Sequence, residues 1–127
     1  MNANISYDRV FAEDGSSRIL RCALPLDLQN FAPPAPALQV SEALAVSTCR
    51  VLRLPVGWRG DWHPTPVKQW LFFLAGAALI EASDGSSTQV SAGDFLLLED
   101  VIGTGHRTSV IGAQDVLIAA VQVDDVG

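Results

Sequence analysis

Short apolar runs separated by turn residues constrain the fold of this chain more than any other feature of its sequence. From about residue 55 onward, clusters of Gly, Pro, Asp and Ser interrupt these runs roughly every 8–12 residues. Strong helix signals are missing, so the pattern predicts an all-β sandwich or barrel. The predicted strands cover residues 18–26, 45–55, 69–75, 78–83, 87–91, 94–99, 106–111 and 115–123.

The turns and the connector predict how the chain is organised. Asp84-Gly85 is the clearest candidate for a two-residue hairpin turn, and the same tetrad, DGSS, occurs earlier at 14–17. The segment 30–43, NFAPPAPALQVSEA, is rich in Pro and Ala and should be an extended connector outside the sheet interior. We therefore expect one domain, with residues 1–44 as a strand arm and connector and residues 45–127 as the barrel.

The run QWLFFLA at 69–75 is apolar on both faces of a predicted strand. Gln69, Leu71 and Phe73 alternate with Trp70 and Phe72. A strand buried on both sides needs the barrel interior on one face and a second covering layer on the other. That layer is either a partner subunit, which favours a homodimer, or the N-terminal arm of the same chain.

Charge and composition narrow the classes of partner. The formal net charge of -6 leaves no excess of Lys and Arg for binding a nucleic-acid backbone, so no nucleic-acid partner is expected. The start, MNANISYDRV, lacks the pattern of a signal peptide, and no apolar run is long enough to span a membrane. Cys22 and Cys49 have no metal-type spacing and are interpreted as reduced, part-buried side chains of a cytoplasmic protein.

Two spaced motifs carry a resemblance to a known family. The first consists of Gly57, His63, Thr65, Gln69 and Gly76, and the second of Gly93, Asp94, Gly103 and His106. In this order and separation they resemble the two motifs of the cupin superfamily, from about residue 45 to the end of the chain. More narrowly, the sequence resembles small single-domain cupins with an altered first motif. The resemblance implies a double-stranded β-helix jelly-roll barrel, commonly a homodimer, with its site inside the barrel.

The resemblance also implies a candidate metal site. Metal-binding cupins use two His and one Glu from the first motif and one His from the second. Here Thr65 replaces the second His and Gln69 replaces the Glu, so the implied ligands are His63, Gln69 and His106. Such a neutral set would hold one divalent ion (Zn, Fe or Mn) more weakly than a set with a carboxylate. A metal-free site is the equal alternative.

A nearby acid would assist both a metal site and a metal-free site. Asp61 lies two residues before His63, while Glu99 and Asp100 lie at the end of a predicted strand and point to opposite faces. Strand alternation does not decide which of the last two faces the interior. We take Glu99 as the candidate carboxylate at the barrel mouth, with a solvated strand end as the alternative.

These residues suggest a small-molecule site. His63 and His106, with Glu99, are the candidate catalytic residues for proton transfer. The candidate substrate-binding residues are Thr65, Gln69, Trp62, Trp70 and Phe73. We expect a small organic ligand and an enzyme of isomerase, lyase or cyclase type. The alternatives are a non-catalytic, sensor-like binding module and a metal-dependent oxygenase, because the cupin fold serves many chemistries.

Overall fold

A computed structural model describes residues 3–124, which form ten β-strands and no helix within that range. The strands are β1 (Ala3–Glu13), β2 (Ser16–Gln29), β3 (Leu38–Val40), β4 (Val46–Leu54), β5 (Gln69–Ala75), β6 (Ala77–Ala82), β7 (Ser87–Ser91), β8 (Phe95–Leu98), β9 (His106–Ile111) and β10 (Val116–Val123). In this described part, no helix could cross a membrane.

Two facing sheets form the barrel. The larger has seven strands in the order β3-β2-β1-β8-β5-β10-β4, and the smaller has three in the order β7-β6-β9. All pairs are antiparallel except β1 with β8, which is parallel. The all-β jelly roll expected from the sequence is confirmed.

Each predicted strand is present with its ends within a few residues of those expected, but two strands were not predicted. β1 carries Asn, Ser, Asp and Arg among its apolar residues, so its sequence lacks a clear apolar run. β3 lies within the Pro-rich connector and pairs with β2 through Leu38–Val40 at the edge of the larger sheet. An edge position suits this segment, because an edge strand pairs on one side only.

The core lies between the sheets and follows the alternation of the strands. On β5, Leu71 and Phe73 are buried and point inward, and on β8 the inward residues are Leu96 and Leu98. The core is completed by Val10, Ala78, Ile80, Val90, Val110, Val116, Ile118 and Ala120. Burying these side chains is the main favourable contribution to folding.

The outer face of β5 is covered in part by the same chain. The ring of Trp70 lies 4.9 Å from that of Tyr7 on β1 and is stacked on Phe72 at 5.9 Å. Trp70 is therefore buried outside the barrel interior, whereas Leu74, further along the same face, is half exposed. For Trp70, the covering layer is the N-terminal arm of the same chain, one of the two alternatives that the sequence could not distinguish.

The two DGSS tetrads form different turns. Asp14-Gly15 is the two-residue turn, with positive φ at both residues, between the paired ends Glu13 and Ser16. The Asp84 turn is longer than predicted: Ala82 N–H donates to the carbonyl of Ser86, so three residues form the loop. Ser86 fixes this loop through its hydroxyl and its backbone N–H, which both donate to the Asp84 carboxylate and lower the pKa of Asp84.

Candidate functional site

The second-motif histidine, His106, begins β9 and is almost fully buried. Its Nδ1 donates to the Asp100 carboxylate at 2.7 Å, and Asp100 is fully buried. Because the carboxylate only accepts, the bond fixes the imidazole as its Nδ1–H tautomer and leaves Nε2 with a free lone pair. Oδ2 of Asp100 also accepts a hydrogen bond of 2.6 Å from the buried hydroxyl of Ser17, while Oδ1 is buried without a protein partner.

Asp100, and not Glu99, is the carboxylate of the site. Burial alternates along β8, and Asp100 continues the inward series of Leu96 and Leu98 past the end of the strand. Glu99 points to the outer side and forms an ion pair of 2.6 Å with Arg9. The sequence could not distinguish the two acids, because the face of the strand that turns inward was unknown.

The first-motif histidine lies beside His106. Residues 58–63 run antiparallel to β9: Gly60 N–H donates to the Thr108 carbonyl, and His63 and His106 exchange two backbone hydrogen bonds of 3.0 Å. This pairing brings the two imidazole rings to 4.9 Å between centroids. His63 Nδ1 donates to the carbonyl of Asp61 at 2.8 Å, so Nε2 is again the free nitrogen.

Glycine at 105 allows the two histidine segments to meet. Gly105 has a φ of +84°, and a Cβ at this position would collide with the carbonyl group of His63. Gly103 makes a similar close approach to the backbone of Gly15, and Thr104 N–H donates to the Gly15 carbonyl. The GTGH segment thus serves close backbone packing around the site.

A central cavity of about 120 Å³ opens beside the two imidazoles. Its lining includes both histidines, Gln69 and Phe73, and is otherwise mainly apolar. The remaining lining residues are Leu52, Leu54, Trp58, Leu71, Ile80, Leu98, Thr108 and Ile118. His63 is exposed, so the cavity has a polar wall that reaches the surface on the side of that residue.

Three of the candidate substrate-binding residues lie away from this cavity. Thr65 is buried, donates its hydroxyl to the Val67 carbonyl and accepts from Gln69 Nε2, so it positions Gln69 instead of facing a ligand. Trp62 is exposed, with the Arg107 guanidinium 4.5 Å from its ring centre. Trp70 lies on the outer face of β5.

The structure adds residues to the site that the sequence did not assign. Trp58 lines the cavity, although nothing in the sequence distinguishes it from the other two tryptophans. Ser17 comes from the N-terminal hairpin and is held by two backbone contacts: its N–H donates to Ser83 Oγ, and its carbonyl accepts from Asp84 N–H. No local sequence signal links Ser17 to a residue 83 positions away.

The two histidines and Gln69 are the donors beside the cavity that a metal ion would meet. In residues 3–124, no group of three His, Cys, Asp or Glu side chains is arranged to bind one. The two Nε2 atoms and the amide oxygen of Gln69 are nevertheless free, and both Nδ1–H groups are held as in metal-bound histidines. By the chemistry of these donors, they would hold a divalent ion such as zinc only as a neutral set without a carboxylate ligand.

Comparison with known proteins supports the fold. No protein-family model matches the chain, and no match was found among curated proteins. The cupin domain of Cnp3 from Schizosaccharomyces pombe aligns with a TM-score of 0.50 and 12% identity, covering 95% of this chain and 88% of that one. The protein therefore has the fold of a cupin domain.

Two further solved structures are similar at lower TM-scores. A conserved protein of unknown function from Streptococcus pyogenes has a TM-score of 0.48 and 17% identity, covering 69% of this chain and 72% of that one. A protein from Neisseria meningitidis has a TM-score of 0.48 and 10% identity, covering 92% of this chain and 82% of that one.

Proposed function

We propose that the protein binds a small organic molecule in the central cavity and that His106 transfers a proton to or from it. The observation that carries this proposal is the buried hydrogen bond of 2.7 Å between His106 and Asp100, at the wall of the cavity. A carboxylate on Nδ1 directs the lone pair of Nε2 to the ligand and stabilises the imidazolium that forms when Nε2 takes a proton.

The proton balance suits an isomerase, lyase or cyclase. Nε2 of His106 takes a proton from a C–H or O–H group of the substrate, and the electron pair of that bond stays on the substrate. The proton then returns to a different substrate atom or to a leaving group, which restores the neutral imidazole. His63, with its own free Nε2, is placed to serve as a second proton carrier, and Gln69 offers an amide group to a substrate oxygen.

Hydrogen–deuterium exchange tests proton abstraction without a known overall reaction. The protein is incubated in D₂O with a panel of small keto acids, hydroxy acids and ketones, and loss of C–H signals is followed by NMR. We expect exchange in at least one compound, its loss in His106→Gln and a decrease of about 10²–10⁴-fold in Asp100→Asn. Glu99→Gln is the matched control and should retain the rate, because Glu99 faces Arg9 on the outside.

The outcomes of the exchange experiment distinguish an enzyme from a non-catalytic binding module. Exchange that persists with EDTA supports metal-free proton transfer. Compounds that bind in the cavity but never exchange would overturn the catalytic part and favour a non-catalytic binding module. Equal rates in Asp100→Asn and Glu99→Gln would remove Asp100 from the mechanism.

A second candidate is a zinc-dependent form of the same site. It is favoured by one observation: both histidines donate through Nδ1, to a carboxylate and to a backbone carbonyl, as metal-bound histidines do. His63, His106 and Gln69 would hold the ion, which would polarise a substrate carbonyl when bound. Zinc affinity measured by calorimetry distinguishes this candidate.

The homodimer and the cytoplasmic location suggested by the sequence remain proposals. The dimer is supported by β4, which pairs with β10 on one side and has no strand on its other edge among residues 3–124. Val51 and Leu74 are exposed on the outer face of the same sheet. Sedimentation analysis of the wild type and of Val51→Lys tests it: the wild type should be a dimer that the added charge weakens.

A further inference from the structure

A groove beside β4 opens next to the central cavity. This β4 groove has a volume of about 410 Å³ and is lined by Thr48, Arg50, Leu52, Pro66, Val67, Gln69, Ala120 and Gln122. Leu52 and Gln69 line the cavity as well, so the two spaces share part of their walls. Taken together, they reach the range of roughly 300–1,000 Å³ that is usual for small-molecule sites.

Strand register places Arg50 in the middle of the groove. Every second side chain of β4 faces inward, and this set includes Thr48, Arg50 and Leu52. Arg50 lies opposite Ala120 on β10. Alanine is small, so the guanidinium has room above it. β10 lies between β4 and β5, and Gln69 is on β5. Because neighbouring strands are spaced by about 5 Å, the backbones of β4 and β5 are about 10 Å apart. One ligand of several carbon atoms can therefore contact Arg50 and enter the cavity.

The groove differs in charge from the rest of the chain. The sequence has 14 acidic and 8 basic residues, yet none of the eight lining residues is acidic. Within residues 3–124, the ion pairs of arginine are formed by Arg9, Arg18, Arg21 and Arg107, and Arg50 is not among them. A cation without an ion pair in a groove without acids attracts an anionic group.

The neighbouring polar groups favour a single negative charge. Oε1 of Gln122 accepts a hydrogen bond from Thr48 Oγ1 at 3.3 Å, which leaves the amide N–H groups of Gln122 as donors. The single positive charge of the Arg50 guanidinium, beside the neutral amide of Gln122, balances the single negative charge of a carboxylate. Arginine can bind a carboxylate through two parallel hydrogen bonds. A phosphate dianion would keep an uncompensated charge.

We propose that the ligand is a small monocarboxylate whose carboxylate binds Arg50 in the β4 groove while its carbon chain enters the central cavity. This inference rests on the proposed function in one respect, since the reacting end of the ligand is placed beside His106. It adds the substrate class and a residue that selects for it.

Acid–amide pairs test the proposal. The probes are acetate, butyrate, hexanoate and octanoate with their primary amides, titrated into the protein while the indole N–H signal of Trp58 is followed by NMR. We expect the best-fitting acid to bind about tenfold more tightly than its amide, the effect of about 1.4 kcal/mol from a charge-assisted bond. In Arg50→Gln, the acid should bind no better than the amide.

Arg53→Gln is the matched control, because Arg53 is exposed like Arg50 but lies on the opposite face of the same strand. It should keep the preference for the acid. The proposal is overturned if both variants lose affinity equally, or if no acid in the series binds more tightly than its amide. His106→Gln should lose proton exchange but keep the preference, so failure of the chemistry and failure of carboxylate recognition are separately visible.

Discussion

His106 and Asp100 form a buried pair in which a 2.7 Å hydrogen bond joins Nδ1 to Oδ2. The pair is buried, but the ring also forms part of the cavity wall. A charged group inside a protein is costly unless it is paired and hydrogen-bonded. Asp100 meets this condition at one oxygen through Ser17 and His106, while its other oxygen has no protein partner. A buried acceptor without a protein partner calls for a specific explanation, and a role in catalysis is one of them.

Asp100→Asn should change the tautomer of His106. An amide can turn its N–H₂ group toward the ring, so Nδ1 is no longer held as the donor. We expect the ¹⁵N spectrum of the wild-type imidazole to show Nδ1–H alone and that of Asp100→Asn to show a mixture. Glu99→Gln should match the wild type. An unchanged tautomer in Asp100→Asn would contradict the role assigned to this carboxylate.

Ser17→Ala should destabilise the fold through Asp100. Removing the hydroxyl takes a hydrogen bond from a buried carboxylate, which costs about 1–3 kcal/mol of unfolding free energy. Urea denaturation measures the change. Ser16→Ala is the control, because Ser16 is the adjacent serine and lies on the other face of β2. Equal effects of the two substitutions would show that Ser17 does not support Asp100.

Gly105→Ala should separate the two histidine segments. The substitution adds the cost of a left-handed alanine, about 1–2 kcal/mol, and a collision with the carbonyl of His63. Gly112→Ala isolates the first cost, because Gly112 has nearly the same φ of +82° with open space around its Cβ position. Urea denaturation should show a larger loss for Gly105→Ala. The same loss in both variants would mean that the close approach to His63 is unimportant.

Gln69→Glu should strengthen zinc binding. The substitution gives the donor set a carboxylate, and a gain of about 1.4 kcal/mol would raise the affinity roughly tenfold. Calorimetric titration of zinc measures it, with Gln89→Glu as the control for net charge, since Gln89 is exposed on β7. His63→Ala should abolish the binding. If zinc binds Gln69→Glu and Gln89→Glu equally, residue 69 is not a ligand, and binding that survives in His63→Ala would show that the histidine pair is not a metal site.

Sequence reasoning reached most of the fold because alternation and turn residues are local signals. The strand at 69–75 was predicted with its observed bounds, and the inward position of Gln69 and Phe73 agrees with its register. β1 was missed because its mixed polar sequence is stabilised by pairing with β2 and β8, which are distant interactions. Tertiary pairing of this kind overrides local propensity.

The candidate site was predicted only in part for a similar reason. The spacing of the two motifs identified His63 and His106 as candidate site residues, and the structure places them side by side. The choice between Glu99 and Asp100 depends on which face of β8 turns inward, and that is decided by the opposite sheet. Trp62 and Trp70 were interpreted as cavity walls from residue type alone, which carries no information about direction.

The two-residue turn at Asp14-Gly15 has a consequence for insertions in this chain. Side chains alternate along β2, so one extra residue in the turn would shift the pairing with β1 and direct the side chain of Ser17 to the opposite face. Asp100 would then lose its hydroxyl donor, although it lies 83 positions further along the chain. The length of a surface hairpin near the N-terminus therefore determines whether the carboxylate behind His106 is supported.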